Sequence, residues 1–185
     1  MAKLTQKTIM KTFEEMLDEM PFSKITVSEL VERSEISSNT FYYHFSDIFD
    51  LLNVWLDKRA DEYYREMNTA DELPDKLKLA FRILKANSRR ANHIFDSISR
   101  DRLERYVFTH FEKQFYADMN KYVDEEAVSA EGFDRISQFF CYAFLGFVLR
   151  YIWDDMKADI DSSVDELWRI FDGLYQSVIK KDNEK

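Results

Sequence analysis

Residues 25–45, ITVSELVERSEISSNTFYYHF, decide the fold of this chain. The stretch from Thr26 to Glu29 matches a capping box, in which the threonine accepts a hydrogen bond from the amide three residues on and the glutamate reaches back. A short helix is therefore predicted to begin there and to end near Ser34. A turn and a new N-cap serine follow, so the next segment, SNTFYYHF, is predicted to form another short helix.

An earlier helix precedes this pair. Apolar residues recur at three- and four-residue spacing from Leu4 to Met20, and Pro21 stops the pattern. Three short helices within residues 1–50 can share one core. Its predicted members are Ile25, Leu30, Ile36, Phe41 and Phe45. This size and spacing are typical of a helix-turn-helix.

The third helix carries short or planar hydrogen-bonding side chains beside its two core phenylalanines. Such groups reach phosphates and base edges without a long charged arm. They are Ser38, Asn39, Thr40, Tyr42, Tyr43 and His44. On this segment alone, a solvated helix with two surface tyrosines is an equal alternative.

The rest of the chain is also predicted to be helical. With only three glycines and two prolines, it lacks the turn residues that sandwiches and barrels need. A long helix is predicted from Asp47 to about Met67, and a loop with Pro74 follows. Further helical spacing is found around residues 77–84, 94–98, 103–119, 133–156 and 164–179. We therefore predict an all-α fold of about nine helices, with a helix-turn-helix domain at 1–46 and a larger helical bundle for ligand binding and dimerisation at 47–185.

The last two predicted helices are rich in large apolar residues. The first of them is apolar nearly all round, and such a helix must be covered on every side. A second subunit is the natural cover in a small domain, so we predict a four-helix interface across a two-fold axis. The predicted interface residues are Phe140, Phe147, Tyr151, Trp168, Phe171 and Tyr175. A core within one chain is the alternative.

Several classes of function find no support in the composition. The single cysteine, Cys141, allows no disulfide or cysteine zinc cluster within the chain, which fits a reducing cytoplasm. The N-terminus lacks the apolar stretch of a signal peptide, and the apolar run 139–149 is shorter than a membrane span, so no membrane association is expected. His93 and His110 lie in no metal-binding pattern, and no phosphate loop, nucleophile elbow or HExxH motif occurs. We expect no catalytic residue, no metal, no cofactor and no enzymatic activity.

Charge argues against strong DNA binding. The formal net charge is −9, and residues 1–50 carry five basic and nine acidic side chains. Neutralisation of phosphates by lysine and arginine supplies most non-specific DNA affinity. However, Lys3, Lys7 and Lys11 recur every four residues, so a basic edge is predicted along one face of the first helix.

The stretch 25–52 resembles the helix-turn-helix signature of the TetR family of transcriptional regulators. The matching features are the threonine before helix two, the apolar pair Leu30 and Val31, Ile36 at the turn, the group Thr40, Phe41, Tyr42, His44 and Phe45, and Leu51. The remainder is similar to the family in helical layout, with a looser similarity to members from Gram-positive bacteria. Two positions depart from the pattern: Glu35 replaces the usual glycine in the turn, and Ile48 replaces the usual lysine.

This resemblance implies which residues meet DNA. Thr26, Thr40, Tyr42 and His44 match phosphate-binding positions, and Ser38, Asn39 and Tyr43 match positions that face base edges. Ser37, Lys3 and Lys7 complete the predicted set. Both departures weaken the binding of phosphates. We therefore expect an affinity for DNA that is modest, steeply salt-sensitive, or dependent on a partner or on cooperative dimers.

The resemblance also implies a homodimer that reads a palindrome on double-stranded DNA, with repression favoured over activation. A small-molecule effector would bind among helices five to eight. The candidate pocket residues are Phe81, Phe95, Tyr106, His110, Phe140 and Phe144, although packing is the commoner role for each. The alternative function is a protein-interaction module, or an activator dependent on a co-activator, that keeps the helix-turn-helix fold with weak DNA binding.

Overall fold

A computed structural model describes residues 2–70, 72–122 and 129–182. Within these ranges the chain forms nine α-helices and one 3-10 turn, and no strand. The helices are α1 (Ala2–Glu19), α2 (Val27–Arg33), α3 (Ser38–His44), α4 (Ile48–Met67), α5 (Leu73–Ala86), α6 (Ser88–Phe95), α7 (Arg100–Tyr122), α8 (Ala130–Trp153) and α9 (Ile160–Asp182), with the 3-10 turn at Phe22–Lys24 between α1 and α2. The predicted all-α fold is confirmed.

The chain divides into two compact units. Unit 1 comprises residues 1–66 and 87–100, and unit 2 comprises residues 67–86 and 101–185. α4 and α6 thus belong with the first three helices. The predicted boundary at residue 46 separates a DNA-binding domain from a domain for ligand binding and dimerisation, and it stays a prediction. The two compact units have different bounds.

The core of unit 1 forms beneath α3. Phe41 is fully buried and Phe45 is 2% exposed, and their ring centroids lie 5.7 Å apart. Phe13 of α1 is fully buried and contacts Phe22 and Trp55 edge-on, each at 6.2 Å. Of the predicted core, Ile25, Leu30, Phe41 and Phe45 are buried and Ile36 packs against the core half-buried. Complete burial of a phenylalanine stabilises a fold by about 1.5–3 kcal/mol.

Ion pairs and a ring hold α6 on unit 1. Arg90 of α6 pairs with Glu14 at 2.8 Å and donates two hydrogen bonds to Asp18 at 2.8 and 2.6 Å. Arg59 of α4 also pairs with Glu14. Both guanidinium carbons lie over the ring of Trp55, 5.6 and 5.8 Å from its centroid. Carboxylates and an aromatic face thus bind two arginines that are mostly shielded from water.

Aromatic contacts join the helices of unit 2. Phe140 of α8 meets Phe171 of α9 edge-on at 4.4 Å, and Phe81 of α5 meets Tyr151 of α8 in the same way at 5.2 Å. The buried side chains of α8 lie on one face, whereas other large apolar residues on this helix remain exposed. The expectation that α8 is apolar nearly all round overlooked Arg135, Gln138 and Arg150, which interrupt the apolar sequence.

Among the described residues, one helix, Glu131–Trp153, is long and apolar enough to cross a membrane by length and composition alone. Its buried face packs within unit 2, which is the usual situation of a core helix in a helical bundle.

We expect Arg90→Ala to lower the free energy of unfolding of the protein by about 1–3 kcal/mol, because it takes a partner from the partly buried carboxylate of Glu14 and removes two hydrogen bonds to Asp18. Arg82→Ala is the control, because Arg82 also pairs with an aspartate but its side chain is 60% exposed. That change should cost under about 1 kcal/mol. Urea unfolding followed by tryptophan fluorescence measures both. Equal losses would contradict the importance of the ion pairs that hold α6.

Candidate nucleic-acid interface

The outer face of α3 is polar and aromatic. Tyr42 and Tyr43 are 57% and 78% exposed, and Ser38 and Asn39 are exposed beside them. Thr40 and His44 are half-buried on the same helix. The structure therefore brings together the six predicted residues of α3 as one surface over the core of unit 1. Hydroxyl, amide and imidazole groups at such a surface can bind phosphates and base edges by hydrogen bonds.

Hydroxyl groups cap the two short helices as the sequence predicted. The Thr26 hydroxyl accepts a hydrogen bond from the Glu29 amide at 3.2 Å, and the Ser37 hydroxyl accepts one from the Thr40 amide at 3.1 Å. The hydroxyls of Ser37 and Thr40 also lie 2.8 Å apart and share a hydrogen bond. Both capping residues are exposed, so each hydroxyl fixes a helix start at the surface of unit 1.

The turn between α2 and α3 strains Glu35. Its φ of 55° lies in the left-handed region, where glycine is favoured. The Ile36 amide donates to the Val31 carbonyl at 3.1 Å across this residue, as in a Schellman motif. A non-glycine residue in this conformation costs about 1–2 kcal/mol. The signature of the family has a glycine at this position, and the backbone conformation at Glu35 is one that favours glycine.

Carboxylates already bind several cations of unit 1. Arg33 donates to Glu19 at 2.6 Å and to Glu29 at 2.8 Å, and these hydrogen bonds raise the pKa of its guanidinium. Lys11 of α1 pairs with Glu15 at 3.4 Å. The basic edge predicted on α1 is therefore partly neutralised within the chain.

The remaining predicted cations lie on α1. Lys7 is exposed and takes part in no salt bridge within the described residues. Lys3 also lies on α1, but its side chain is outside the described part of the chain.

The start of α4 carries acidic caps and an exposed ring that the sequence analysis did not single out. Asp47 accepts hydrogen bonds from the amides of Phe49 and Asp50, each at 2.8 Å, and Asp50 in turn accepts from the Ser46 amide at 2.8 Å. Phe49 is 41% exposed and packs on Phe22 at 5.2 Å. The reciprocal pattern of Ser46, Asp47 and Asp50 is a capping signal that was present in the sequence.

The six candidate pocket residues fall in two compact units. Phe95 packs against the core of unit 1, whereas the other five belong to unit 2. Tyr106 and His110 stack at 4.1 Å, and Phe144 meets Phe115 at 5.9 Å. Phe140 packs on Phe171, and Phe81 lines a surface groove of unit 2. Packing between rings thus accounts for most of these aromatic residues.

Four of the six residues predicted at a dimer interface are buried within the subunit. Phe140, Tyr151, Phe171 and Tyr175 are at most 5% exposed, because they lie on the inward faces of α8 and α9. Phe147 and Trp168 are half-buried. Other large apolar residues on these two helices are exposed: Phe139, Tyr142, Trp153, Ile170 and Leu174.

Other reactive side chains are engaged in packing. Burial raises the pKa of the Cys141 thiol to about 11, so the sulfur stays protonated and weakly nucleophilic at neutral pH. His93 places Nδ1 2.7 Å from the Leu17 carbonyl. No group of three or more histidine, cysteine, aspartate or glutamate residues in the described ranges is arranged to hold a metal ion.

Solved structures share this architecture. One is the dihydroxyacetone kinase operon activator DhaS, at 19% identity and a TM-score of 0.68, covering 94% of this chain and 97% of that one. Another is the fatty acid degradation regulator FadR from Bacillus halodurans, at 17% identity and a TM-score of 0.61, covering 90% of this chain and 93% of that one. A third is NalD, the secondary repressor of the MexAB-OprM multidrug efflux pump in Pseudomonas aeruginosa. It has 14% identity and a TM-score of 0.52, and the match covers 92% of this chain and 96% of that one. Curated protein sequences gave no match.

The helical fold and the polar helix-turn-helix surface define a transcriptional regulator that binds DNA. A family model for the C-terminal region of transcriptional regulators matches residues 71–173, which is more than half of the chain, and the chain belongs to the TetR family. The match covers the part of the chain in which the sequence analysis found similarity only in helical layout.

We expect Glu35→Gly to be more stable than Glu35→Ala by about 1 kcal/mol, because both remove the carboxylate but only glycine relieves the positive φ. The comparison isolates the backbone from the charge. Urea unfolding of the two variants measures the difference, and Glu32→Gly against Glu32→Ala is the control, because Glu32 lies within α2. There the order should reverse, since glycine weakens a helix. An alanine variant at 35 that is as stable as the glycine variant would contradict the strain at this turn.

Proposed function

We propose that this protein is a homodimeric regulator that binds a palindromic operator through α3 of each subunit, acts in the cytoplasm and represses transcription. The observation that carries the proposal is the exposed face of α3, where six hydrogen-bonding side chains lie together on a rigid core. Two such helices, one per subunit, would enter successive major grooves about 34 Å apart. Repression rests on the family resemblance, because the structures of similar fold include an activator and a repressor.

Within this surface the side chains divide by exposure. Asn39 and Tyr43 are the most suitable to reach base edges, because they are exposed and a planar amide can pair with adenine through two hydrogen bonds. Thr40 and His44 are half-buried, and we assign them to phosphates together with Tyr42 and Thr26. Ser37 holds the first turn of α3 in place and positions Thr40.

Binding would depend little on cations. Of the described basic residues of α1 to α3 and the 3-10 turn, only Lys7 and Lys24 take part in no salt bridge. If both met phosphates in each subunit, the logarithm of the binding constant would fall with the logarithm of salt concentration with a slope of about −4. Hydrogen bonds from neutral side chains would then supply most of the affinity. The dependence on salt would be shallow for a dimer, in place of the steep dependence that the sequence analysis gave as one alternative.

The dimer would form through the exposed faces of α8 and α9. Phe139 and Tyr142 are 59% and 44% exposed on α8, and Ile170 and Leu174 are 52% and 46% exposed on α9. Each pair lies one helical turn apart and shares a face of its helix. Large apolar residues grouped in this way typically mark a surface that another protein covers.

Two glycines support the proposal that a second copy of this chain covers these exposed faces. Gly146 and Gly173 lie within α8 and α9 on the same exposed faces, although glycine costs about 1 kcal/mol in a helix. A Cβ added at either would meet nothing within 4 Å, and neither has a positive φ, so the subunit itself does not require glycine there. Close approach of a helix from another subunit would explain both.

A second candidate function rests on the acidic character of unit 1. Because Arg33 and Lys11 are paired and the start of α4 is acidic, the surface of α3 also suits a protein partner, and the chain would then regulate transcription with weak DNA binding of its own. The experiment on DNA separates these two candidates.

Selection of DNA sequences by the purified protein at low salt should recover a palindrome. Asn39→Ala should weaken binding to the selected site at least tenfold, since a good base contact contributes about 1–3 kcal/mol. Asn53→Ala, at an exposed asparagine of α4, is the control and should leave the affinity unchanged. Failure to recover a palindrome, or equal affinity of the two variants, would favour the protein-interaction module. Titration across salt concentrations in the same assay tests the expected shallow slope.

Leu174→Glu should convert the dimer to monomer in sedimentation equilibrium, because it places a charge in the proposed interface. The control is Leu4→Glu, the same change at a helical leucine that is 70% exposed in unit 1. A dimer that survives Leu174→Glu would place the interface elsewhere. Circular dichroism of both variants checks that the helices remain folded.

A further inference from the structure

α3 contains the side chains that read two of the four bases and lacks those that read the other two. Its seven residues, Ser38–His44, include no arginine, lysine, glutamate or aspartate. Arginine and lysine pair with guanine through two hydrogen bonds, and glutamate and aspartate accept from the amino group of cytosine. The helix has one asparagine, the side chain that pairs with adenine, and exposed rings that can contact the methyl group of thymine. The residue types of α3 therefore favour A·T pairs.

Asn39 and Tyr43 are placed to make both contacts. The two side chains are exposed and four residues apart, so they share one face of α3. The Asn39 amide makes no side-chain hydrogen bond among the described residues, so its donors and its acceptor are available. The Tyr43 ring is 78% exposed. A ring in that position gains free energy when an apolar group such as a thymine methyl removes it from water.

The cations nearest to this face are less suited to a guanine contact. His44 is half-buried, and its ring contacts those of Tyr43 and Phe45 at 5.0 and 6.3 Å. The nearest arginine along the chain, Arg33, donates to two glutamates at 2.6 and 2.8 Å. Guanine therefore finds no side chain on α3 that offers the two-donor pairing of arginine.

We propose that each half of the palindrome has an adenine that pairs with Asn39 and a thymine whose methyl group lies against the Tyr43 ring. A rise of about 1.5 Å per residue separates the two positions by roughly 6 Å along the helix axis, or about two base-pair steps of about 3.4 Å. The adenine and the thymine are thus about two base pairs apart. The proposal rests on the proposed function, because it names what the same surface of α3 reads.

Selection of DNA sequences by the parent protein and by Asn39→Ala and Tyr43→Ala identifies the positions that each residue reads, because a base preference disappears when its reader is removed. We expect the two variants to lose preference at two A·T pairs in each half-site, about two base pairs apart. Loss of preference at G·C pairs instead would overturn this proposal and leave the proposed function intact. Failure of the parent protein to recover a palindrome would overturn both.

Modified bases test each contact within the selected operator. 7-Deazaadenine lacks the N7 acceptor of adenine, and uracil lacks the methyl group of thymine. With the full-length protein, 7-deazaadenine at the Asn39 position should weaken binding about tenfold. Uracil at the Tyr43 position should weaken binding about fourfold, which corresponds to the loss of one buried methyl group. The same replacements outside the half-sites are the controls and should leave the affinity unchanged.

Variants show which side chain makes each contact, when the dissociation constants for modified and unmodified operators are compared at low salt. Tyr43→Phe keeps the ring and should keep the sensitivity to uracil, whereas Tyr43→Ser should lose it. Asn39→Ala should bind the adenine and 7-deazaadenine operators equally. Asn53→Ala, at an exposed asparagine of α4, is the control and should respond to both modified bases like the parent.

Sensitivity to the modified base that persists in Tyr43→Ser or in Asn39→Ala would assign the contact to another residue and overturn the proposal. Loss of the sensitivity to uracil in Tyr43→Phe would overturn the contact between the ring and the methyl group. Both side chains are exposed, so these changes remove no contact of the core beneath α3. Circular dichroism of each variant checks that the helices remain folded.

Discussion

The exposed face of α3, which we propose binds DNA, depends on the burial of Phe41 and Phe45. α3 contains seven residues, and an isolated helix of that length is not stable in water, because nucleation costs more than a few hydrogen bonds return. Its polar outer face therefore exists only because its inner face packs on unit 1. Because Phe41 and Phe45 lie one turn apart, they share the inner face of α3 and hold the helix on the core of unit 1.

The same unit contains features that oppose DNA binding. Glu35 holds a strained backbone where glycine would be relaxed, and Asp47 occupies the amides at the start of α4. These features oppose the function in different ways: strain lowers stability, and carboxylates repel phosphates. A regulator built in this way would gain specificity from the geometry of neutral hydrogen bonds, because cations contribute little attraction that is independent of sequence.

The sequence predicted local structure better than it predicted surfaces. Thr26 and Ser37 cap their helices as expected, because capping depends on residues within one turn of each other. The pair of Arg33 with Glu19 was not predicted, because Glu19 lies on another helix and its distance from Arg33 depends on the packing of α1 against α2. Phe140 and Phe171 were assigned to an interface and are buried instead, since helical spacing defines an apolar face but not what covers it.

The packing of α6 also could not be predicted from its position in the chain. Its residues lie between two helices of unit 2 in the chain, yet Arg90 and Ile94 pack with unit 1. The chain therefore enters and leaves unit 1 a second time through α6, at both of its ends. α5 precedes α6 in the chain and α7 follows it, while Glu14, Asp18 and Trp55 hold α6 within unit 1. For a ligand to alter DNA affinity through this connection, it must bind differently to two arrangements of the chain, since equal affinity for both shifts neither.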